Sequence, residues 1–363
     1  MSEAAGKRSE IRRALDSLDA SELHGSSRIK WRLFGDEVLP AWVADMDFPV
    51  APPIHRAIRE LVGRHDFGYH IVPLSPHLRA ALVSRMAERF SWQIEPKRIV
   101  PLVNVLQGLD LSVLLHSRRG EGVVLQTPLY PPFLAAVKGS GRRVDENRLL
   151  RGANRYQIDF DQLRATLQPD TRLILLCNPH NPTGRAFERE ELLALGELAL
   201  EHDLIVVSDE IHADLTFPEH RHVPFATLSP ELAERTITLT SATKSFNLAG
   251  LPCAFAIFGS DRLQQPFRDL PPHALGHPGI VDDVATHAAW TQGQPWLDCR
   301  GLGLSADPFS FFLEHGRVAL TGGNEFGTQG KGFARINFAT SRAILVEILE
   351  RMEAAVHRRS SIG

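Results

Sequence analysis

The sequence predicts an α/β protein, with a largely parallel sheet covered by helices on both faces and a second, smaller lobe. Three observations carry that reading. Apolar, strand-length runs alternate with helical stretches from Ile99 to Phe258. The chain has 363 residues, 43% hydrophobic and 23% charged, enough for one large core and a smaller one. After Pro278 the alternation gives way to a helix, a Gly-rich passage, a strand and a last helix.

The elements follow in order. Met1–Ile29 is polar and charged, with a short helix expected over Ile11–Leu18. Lys30–Gly35 and Val38–Pro49 mix aromatics with Asp45 and Asp47, the pattern of an ordered loop pinned under another element. Pro52–Arg64 is an amphipathic helix: Ile54, Ile58, Leu61 and Val62 share a face, and Pro52-Pro53 stand at its start. Phe67-Gly68-Tyr69 interrupts, and Pro76–Phe90 is a second helix. Strands are expected at Ile99–Val103, Val123–Gln126, Leu173–Cys177, Leu204–Glu210, Thr236–Thr240 and Cys253–Phe258. Helices between them span Val105–His116, the stretch ending at Lys138, and Glu188–His202. Past Pro278 come a helix over Ile280–Thr291, a strand within Gly332–Phe338, and a helix over Arg342–Val356.

Composition narrows the function. A formal charge of −3 gives no reason to expect a nucleic-acid or membrane-surface partner. Arg118-Arg119, Arg142-Arg143 and His357-Arg358-Arg359 are short basic clusters that read as solvated faces. Cys177, Cys253 and Cys299 are widely spaced and odd in number, so neither a disulfide framework nor a zinc site is expected. The sixteen histidines form no HExxH or CxxC-type set, and no metal is expected. Met1–Glu10 lacks an apolar signal core and no run approaches spanning length, so a soluble, cytoplasmic protein is expected.

The chemistry gathers around Lys244. The β-branched run Thr236–Thr240 breaks into Ser241, Ala242 and Thr243, then Lys244, then a Ser-Phe-Asn turn. An unpaired ammonium at the end of a buried strand is costly, whereas a neutral lysine bonded to a carbonyl as a Schiff base is not. The hydroxyls of Ser241 and Thr243 suit a phosphate. Asp209 closes a wholly apolar strand, where a carboxylate needs a cationic partner such as a pyridinium nitrogen. Asn181, in the loop Asn178–Gly184, offers an amide to a phenolate oxygen. Tyr130, between Pro128 and Pro131, is a rigid ring able to lie on a flat one. Arg335, in Phe-Ala-Arg-Ile-Asn-Phe, can grip a carboxylate bidentately. Each has an ordinary structural explanation too. Lys244 can snorkel, Asp209 can cap the next helix, Asn181 can turn the chain, Tyr130 can fill a core, and Arg335 can pair with an internal acid.

Three motifs, Asn-Pro-His-Asn-Pro-Thr-Gly, Ser-Asp-Glu-Ile-His-Ala-Asp-Leu and Ser-Ala-Thr-Lys-Ser-Phe-Asn-Leu-Ala-Gly-Leu, make the chain resemble a fold-type I pyridoxal-phosphate enzyme. Val-Leu-Pro-Ala-Trp-Val-Ala-Asp-Met-Asp-Phe and Tyr-Pro-Pro-Phe narrow the resemblance to the MalY/PatB branch of cystathionine β-lyase-like C–S lyases. It runs from about Lys30 to the final helix. It implies a large domain with a mostly parallel seven-stranded sheet over 49–278, and a small α/β domain made of 279–363 and the segment 1–48. It also implies residue roles. Lys244 would form the internal aldimine with pyridoxal 5'-phosphate and shuttle the Cα proton, and Asp209 would keep the ring nitrogen protonated. Asn181 would bond the ring oxygen, Tyr130 would stack on the ring, and Ser241 would hold the phosphate. Tyr69 would reach the neighbouring subunit's phosphate, implying a homodimer. Arg335 would bind the substrate carboxylate, with His212 and Trp42 near the pocket.

Two departures qualify it. Relatives often have a glycine in the phosphate-binding turn, where this chain reads Leu102-Val-Asn-Val-Leu-Gln-Gly108; Asn104 and Val105 at the helix start remain the expected phosphate contacts. After Asp298 the small lobe reads as having lost a segment. The expected reaction is β-elimination from L-cystathionine or a related cysteine S-conjugate, giving a thiol, pyruvate and ammonia. The alternatives are an aminotransferase of an L-amino acid and a weakly active cofactor-binding or interaction protein.

Overall fold

The structure is a computed structural model that describes residues 18–70, 73–152, 155–217, 220–271, 273–294, 317–330 and 333–360. Six apolar runs and one charged run form a single sheet. They are β1 (Ile99–Leu102), β2 (Gly122–Thr127), β3 (Arg143–Arg148), β4 (Thr171–Cys177), β5 (Ile205–Asp209), β6 (Thr236–Thr240) and β7 (Ala254–Phe258). Their spatial order is β1-β7-β6-β5-β4-β2-β3. β7 runs antiparallel to β1 and β6, and every other pair is parallel. This is the mostly parallel seven-stranded sheet that the resemblance implies.

The helices of this unit longer than one turn are α1 (Pro52–Gly63), α2 (Pro76–Phe90), α3 (Val105–His116), α4 (Pro131–Gly139), α5 (Phe160–Thr166), α6 (Arg189–Glu201), α7 (Asp261–Arg268) and α8 (Ile280–Gln292). Successive strand residues face opposite ways, so each face gets its own apolar layer. Val123, Leu125 and Leu175 pack with Leu109 and Val113 of α3 and Phe133 of α4. Val124, Ile174 and Val206 pack with Leu163 of α5 and Leu192 and Leu195 of α6. A strand covered on both faces has no polar side to present, which is why these runs read as continuous apolar stretches.

β3 breaks that rule, and the sequence reading misses it. Its charged residues stand at the sheet edge, where charge discourages pairing with another edge. The basic pair beside it is more than a solvated face. Arg142 Nη2 donates to Leu114 O (3.2 Å) and Ser117 O (2.5 Å) at the end of α3, and Arg143 pairs with Asp145 and Asp170.

The chain divides into two compact units, residues 52–293 and the described part of 1–51 with 294–363. The expected boundary after Pro278 therefore shifts. α8, assigned above to the small lobe, packs against α1 and α2 in the large unit and buries Ala285, Ala288 and Ala289. Its Trp290 lies 5.3 Å from Phe255 of β7, ring to ring.

The small unit is built from both ends of the chain. Leu39–Pro40 pairs in parallel with Val318–Ala319, and Thr321–Gly322 pairs antiparallel with Ala334–Arg335. Only these two residues of the expected Gly332–Phe338 strand are paired among the described residues. The last helix, α9, spans Arg342–Ser360. Its Ile344, Ile348 and Ala355 share a core with Trp31, Leu39, Ala41, Val318 and Leu320. The segment expected to be lost after Asp298, Cys299, and the expected helix before Leu18 lie outside the described residues. Among the described residues no helix is long and apolar enough to cross a membrane, and no group of three or more His, Cys, Asp or Glu is placed to hold a metal ion.

Candidate active site

Parallel register aligns Cys177 with Asp209, and Asp209 with Leu239. The loops leaving β4, β5 and β6 therefore open on one edge of the sheet, where ligands bind in open α/β folds. β1 ends there too: Leu102 pairs with Ala254, and the adjacent Cys253 carbonyl accepts the Ser241 hydroxyl at 2.6 Å. The Tyr130 N–H donates to Asn181 O at 3.1 Å. Asn104, Val105, Tyr130, Asn181, Asp209, His212, Ser241 and Lys244 thus share this edge.

The start of α3 is held in detail. Asn104 Oδ1 accepts the Gln107 N–H (2.8 Å), and Gln107 Oε1 accepts the Val103 N–H (2.9 Å). Gly108 lets the helix lie close on the sheet, because a Cβ there would stand 2.6 Å from Leu102 Cδ1 and 2.7 Å from Leu239 Cδ2.

Asp209 is the most perturbed group of the site. It is 5% exposed, and its Oδ1 accepts the Ile211 N–H at 3.1 Å, so it does cap the following turn. Burial pushes its carboxyl up to about 7 against that hydrogen bond; the Glu210 charge adds to the rise and Lys244 opposes it. A carboxyl so disfavoured as an anion gains from a cationic N–H donor, and a protonated pyridine nitrogen is one. The residues present therefore fit pyridoxal phosphate.

Lys244 is half-buried in the turn after β6. That turn closes through Phe246 N–H to Ala242 O (3.0 Å) and Leu248 N–H to Thr243 O (2.9 Å). Asn247 takes φ 59°, a conformation that asparagine tolerates well. Ser241 Oγ accepts the Thr243 N–H (3.1 Å) and stands 2.6 Å from Cys253 O and 2.9 Å from Thr243 Oγ1, so a phosphate contact through Ser241 competes with these oxygens for its one proton.

His180 keeps the Asn178–Gly184 loop on β2. Burial drives it down to about 4, so it is neutral at neutral pH. Its Nε2 lies 3.2 Å from the Gln126 carbonyl, which requires the proton there, and its Nδ1 accepts from Thr183 Oγ1 (3.0 Å).

Further residues tie the site loops and escaped the sequence reading. Arg85 of α2 pairs with Asp214 in the loop after β5 and lies 5.5 Å from the Phe246 ring centroid, two residues beyond Lys244. One guanidinium thus joins the His212 loop to the Lys244 turn. Glu210 accepts from His222 Nε2 (2.9 Å), Ser208 Oγ (2.8 Å) and the Phe225 N–H (3.0 Å), bracing the residue next to Asp209. Asp214 lies within the quoted Ser-Asp-Glu-Ile-His-Ala-Asp-Leu motif, but its partner sits 129 positions away in sequence, and no local pattern points to Arg85.

Trp42 and Arg335 come together in the small unit. Arg335 Nη2 donates to Trp42 O (2.6 Å) and Thr321 Oγ1 (3.0 Å), and its guanidinium stands 5.2 Å from the Phe326 ring centroid. Tyr69, after α1, is fully exposed at 111%.

A family profile described as aminotransferase class I and II matches residues 44–294. The chain belongs to this family. Within it, the chain is 36% identical to cystathionine beta-lyase PatB of Bacillus subtilis, over 92% of this chain and 97% of that protein. The alignment spans 379 positions, more than the chain has residues, so PatB carries residues that this chain lacks. Of solved structures, OvoB superposes with a TM-score of 0.85 and 34% identity, over 91% of this chain and 96% of that one. Cystalysin from Treponema denticola, whose crystal structure contains a pyridoxal 5'-phosphate cofactor, does so with a TM-score of 0.85 and 26% identity, over 94% and 98%.

Proposed function

We propose that this protein is a pyridoxal-phosphate-dependent C–S β-lyase. It takes an L-amino acid with sulfur on Cβ, L-cystathionine or a related cysteine S-conjugate, and with one water releases a thiol, pyruvate and ammonia. The observation that carries the reading is the buried Asp209 carboxyl sharing one sheet edge with Lys244 in a chain 36% identical to a cystathionine β-lyase.

Lys244 Nζ would hold the cofactor's aldehyde carbon. Asp209 would pair with the ring N–H, Asn181 would donate to the ring oxygen, and Tyr130 would lie against the ring, with His212 beside them. Asn104, Val105 and Ser241 would face the phosphate, the first two where α3 presents N–H groups. Bound there, the cofactor supplies an electron sink that stabilises negative charge at the substrate's Cα. Arg335 and Trp42 would orient the substrate through its carboxylate. The amine of Lys244, freed when substrate arrives, takes the Cα proton as general base, and the thiolate leaves from Cβ.

The working unit is a homodimer, with Tyr69 reaching the partner's site; full exposure of a tyrosine ring at 111% supports this. A mixture of Lys244→Ala and Tyr69→Ala chains is then expected to regain activity in hybrid dimers, and exchange without recovery excludes the shared site. We place the protein in the cytoplasm, where free amino acids and the cofactor are available.

The test of the reaction is pyruvate release from L-cystathionine without added 2-oxo acid. Pyruvate and thiol in equal amounts are expected. Amino transfer only when a 2-oxo acid is supplied would make the protein an aminotransferase. Cofactor absorbance without either reaction would make it a binding protein.

A further inference from the structure

Arg335 is reached through an unusual chain of contacts inside the small unit. The Trp42 carbonyl that holds its Nη2 also accepts Thr321 Oγ1 (2.5 Å). Trp42 belongs to Ala41–Asp47, which among the described residues has no strand partner beyond Pro40. Backbone bonds hold its ends, Ala41 N–H to Ala319 O (2.6 Å) and Asp47 N–H to Ala339 O (2.9 Å), and side chains hold the stretch between. Asn337, two residues past Arg335, donates Nδ2 to Val43 O (2.6 Å) and Asp45 O (2.7 Å), and its N–H to Ala41 O (2.6 Å). From the other side Lys30 Nζ donates to Asp47 Oδ2 (2.8 Å) and Asp45 O (3.1 Å), and Trp31 Nε1 to Asp47 Oδ1 (2.6 Å). The Trp42 indole returns a bond to Lys30 O (3.1 Å). Both charged side chains of the pair are wholly inaccessible to solvent.

A buried ion pair is a poor route to stability, because the desolvation of both charges offsets most of their attraction. It does fix geometry, since each charge tolerates only arrangements that keep its partner. We propose that the Lys30–Asp47 pair and Asn337 are positioning residues for Arg335, holding Ala41–Asp47 so that the Trp42 carbonyl aims the guanidinium at the substrate's carboxylate. This rests on the reading of Arg335 as the carboxylate-binding residue.

The test separates carboxylate recognition from general damage. L-methionine carries its sulfur on Cγ and cannot undergo β-elimination, and 3-(methylthio)propylamine is the same molecule without the carboxylate. Dissociation constants of both are measured on holoenzyme from the change in cofactor absorbance, and their ratio isolates the carboxylate's contribution. The wild type is expected to prefer methionine at least about tenfold, the effect of a charged hydrogen bond. Arg335→Met should bring the ratio close to one. Lys30→Met with Asp47→Asn, which leaves no lone charge, and Asn337→Ala should each lower it about threefold or more, yet change nothing further when combined with Arg335→Met. Cofactor affinity, which belongs to the large unit, should stay within about twofold. If Arg335→Met lowers the ratio and the other variants leave it at the wild-type value, the positioning role is overturned. If Arg335→Met itself leaves it unchanged, the reading of Arg335 fails and the inference with it. Asn337→Ala removes no charge, so it decides the matter should the pair variant not yield holoenzyme.

Discussion

The two units hold their candidate site residues by different physics. In the large unit, Asp209 and the loops carrying Asn181 and Lys244 are placed by the register of strands that are buried on both faces. In the small unit the paired strands are two residues long, and Arg335 is placed by hydrogen bonds from side chains to backbone carbonyls. Register shared by many residues is insensitive to any one polar group. A side-chain tether is lost with a single substitution. Cofactor binding should therefore be robust where substrate recognition is fragile.

Replacing the chemistry without touching the frame is the sharpest separation of the two. Lys244→Ala is expected to lower pyruvate release by at least about a thousandfold while circular dichroism and the melting temperature stay near wild type, as for removal of a group acting in the transition state. A comparable loss of folding would mean that Lys244 is part of the frame.

Next in size is the guanidinium that joins two site loops. Arg85→Met removes the nearer guanidinium from Asp214, whose side chain is 8% exposed. Arg89 Nε stays 3.9 Å from it, so the cost should approach but not exceed the about 3–5 kcal/mol of a fully broken buried pair. Urea unfolding of the apoprotein measures it, and a change under about 1 kcal/mol would show that the loops are held by other contacts.

Asp209 gives a pH signature. Its carboxyl is raised from 3.8 to about 7, so between these values the folded apoprotein holds a proton that the unfolded chain has released. Stability from this group is therefore full below about pH 4 and is lost as pH rises towards 7, by up to about 4 kcal/mol at one pH unit per 1.36 kcal/mol. Asp209→Asn should remove that slope, and the bound cofactor should flatten it by giving the carboxylate a cationic partner. An apoprotein equally stable at pH 5 and pH 7, with or without Asp209, would contradict the burial argument.

The smallest expected effect lies in the small unit. Thr321→Val removes a hydroxyl that donates to Trp42 O and accepts from Arg335, a loss of about 1 kcal/mol. KM for L-cystathionine should rise about fivefold with little change in kcat. Equal changes in both would place Thr321 outside substrate recognition.

What could be read in the sequence follows the same division. β5 and β6 are legible as short apolar and β-branched runs that the fold buries on both faces, and Asp209 and Lys244 stand out as charges at or just past their ends. Pro76–Phe90 is legible as a helix, and the structure adds its cap: the Ser75 hydroxyl accepts the Leu78 N–H. β3 is not, because an edge strand can be made of charge. The place of α8 is not, because an apolar helical face does not say which unit it will meet. The Lys30–Asp47 pair and Arg85–Asp214 join residues 17 and 129 positions apart, and only the fold brings them together.

The most direct test of the central claim is to fix the cofactor in place. The protein purified with pyridoxal phosphate is reduced with borohydride, digested and mapped by mass spectrometry. A single pyridoxyl-phosphate adduct on Lys244, absent from the Lys244→Ala chain, is the predicted result. An adduct confined to any other lysine, or none on a protein that retains the cofactor's absorbance, would contradict it.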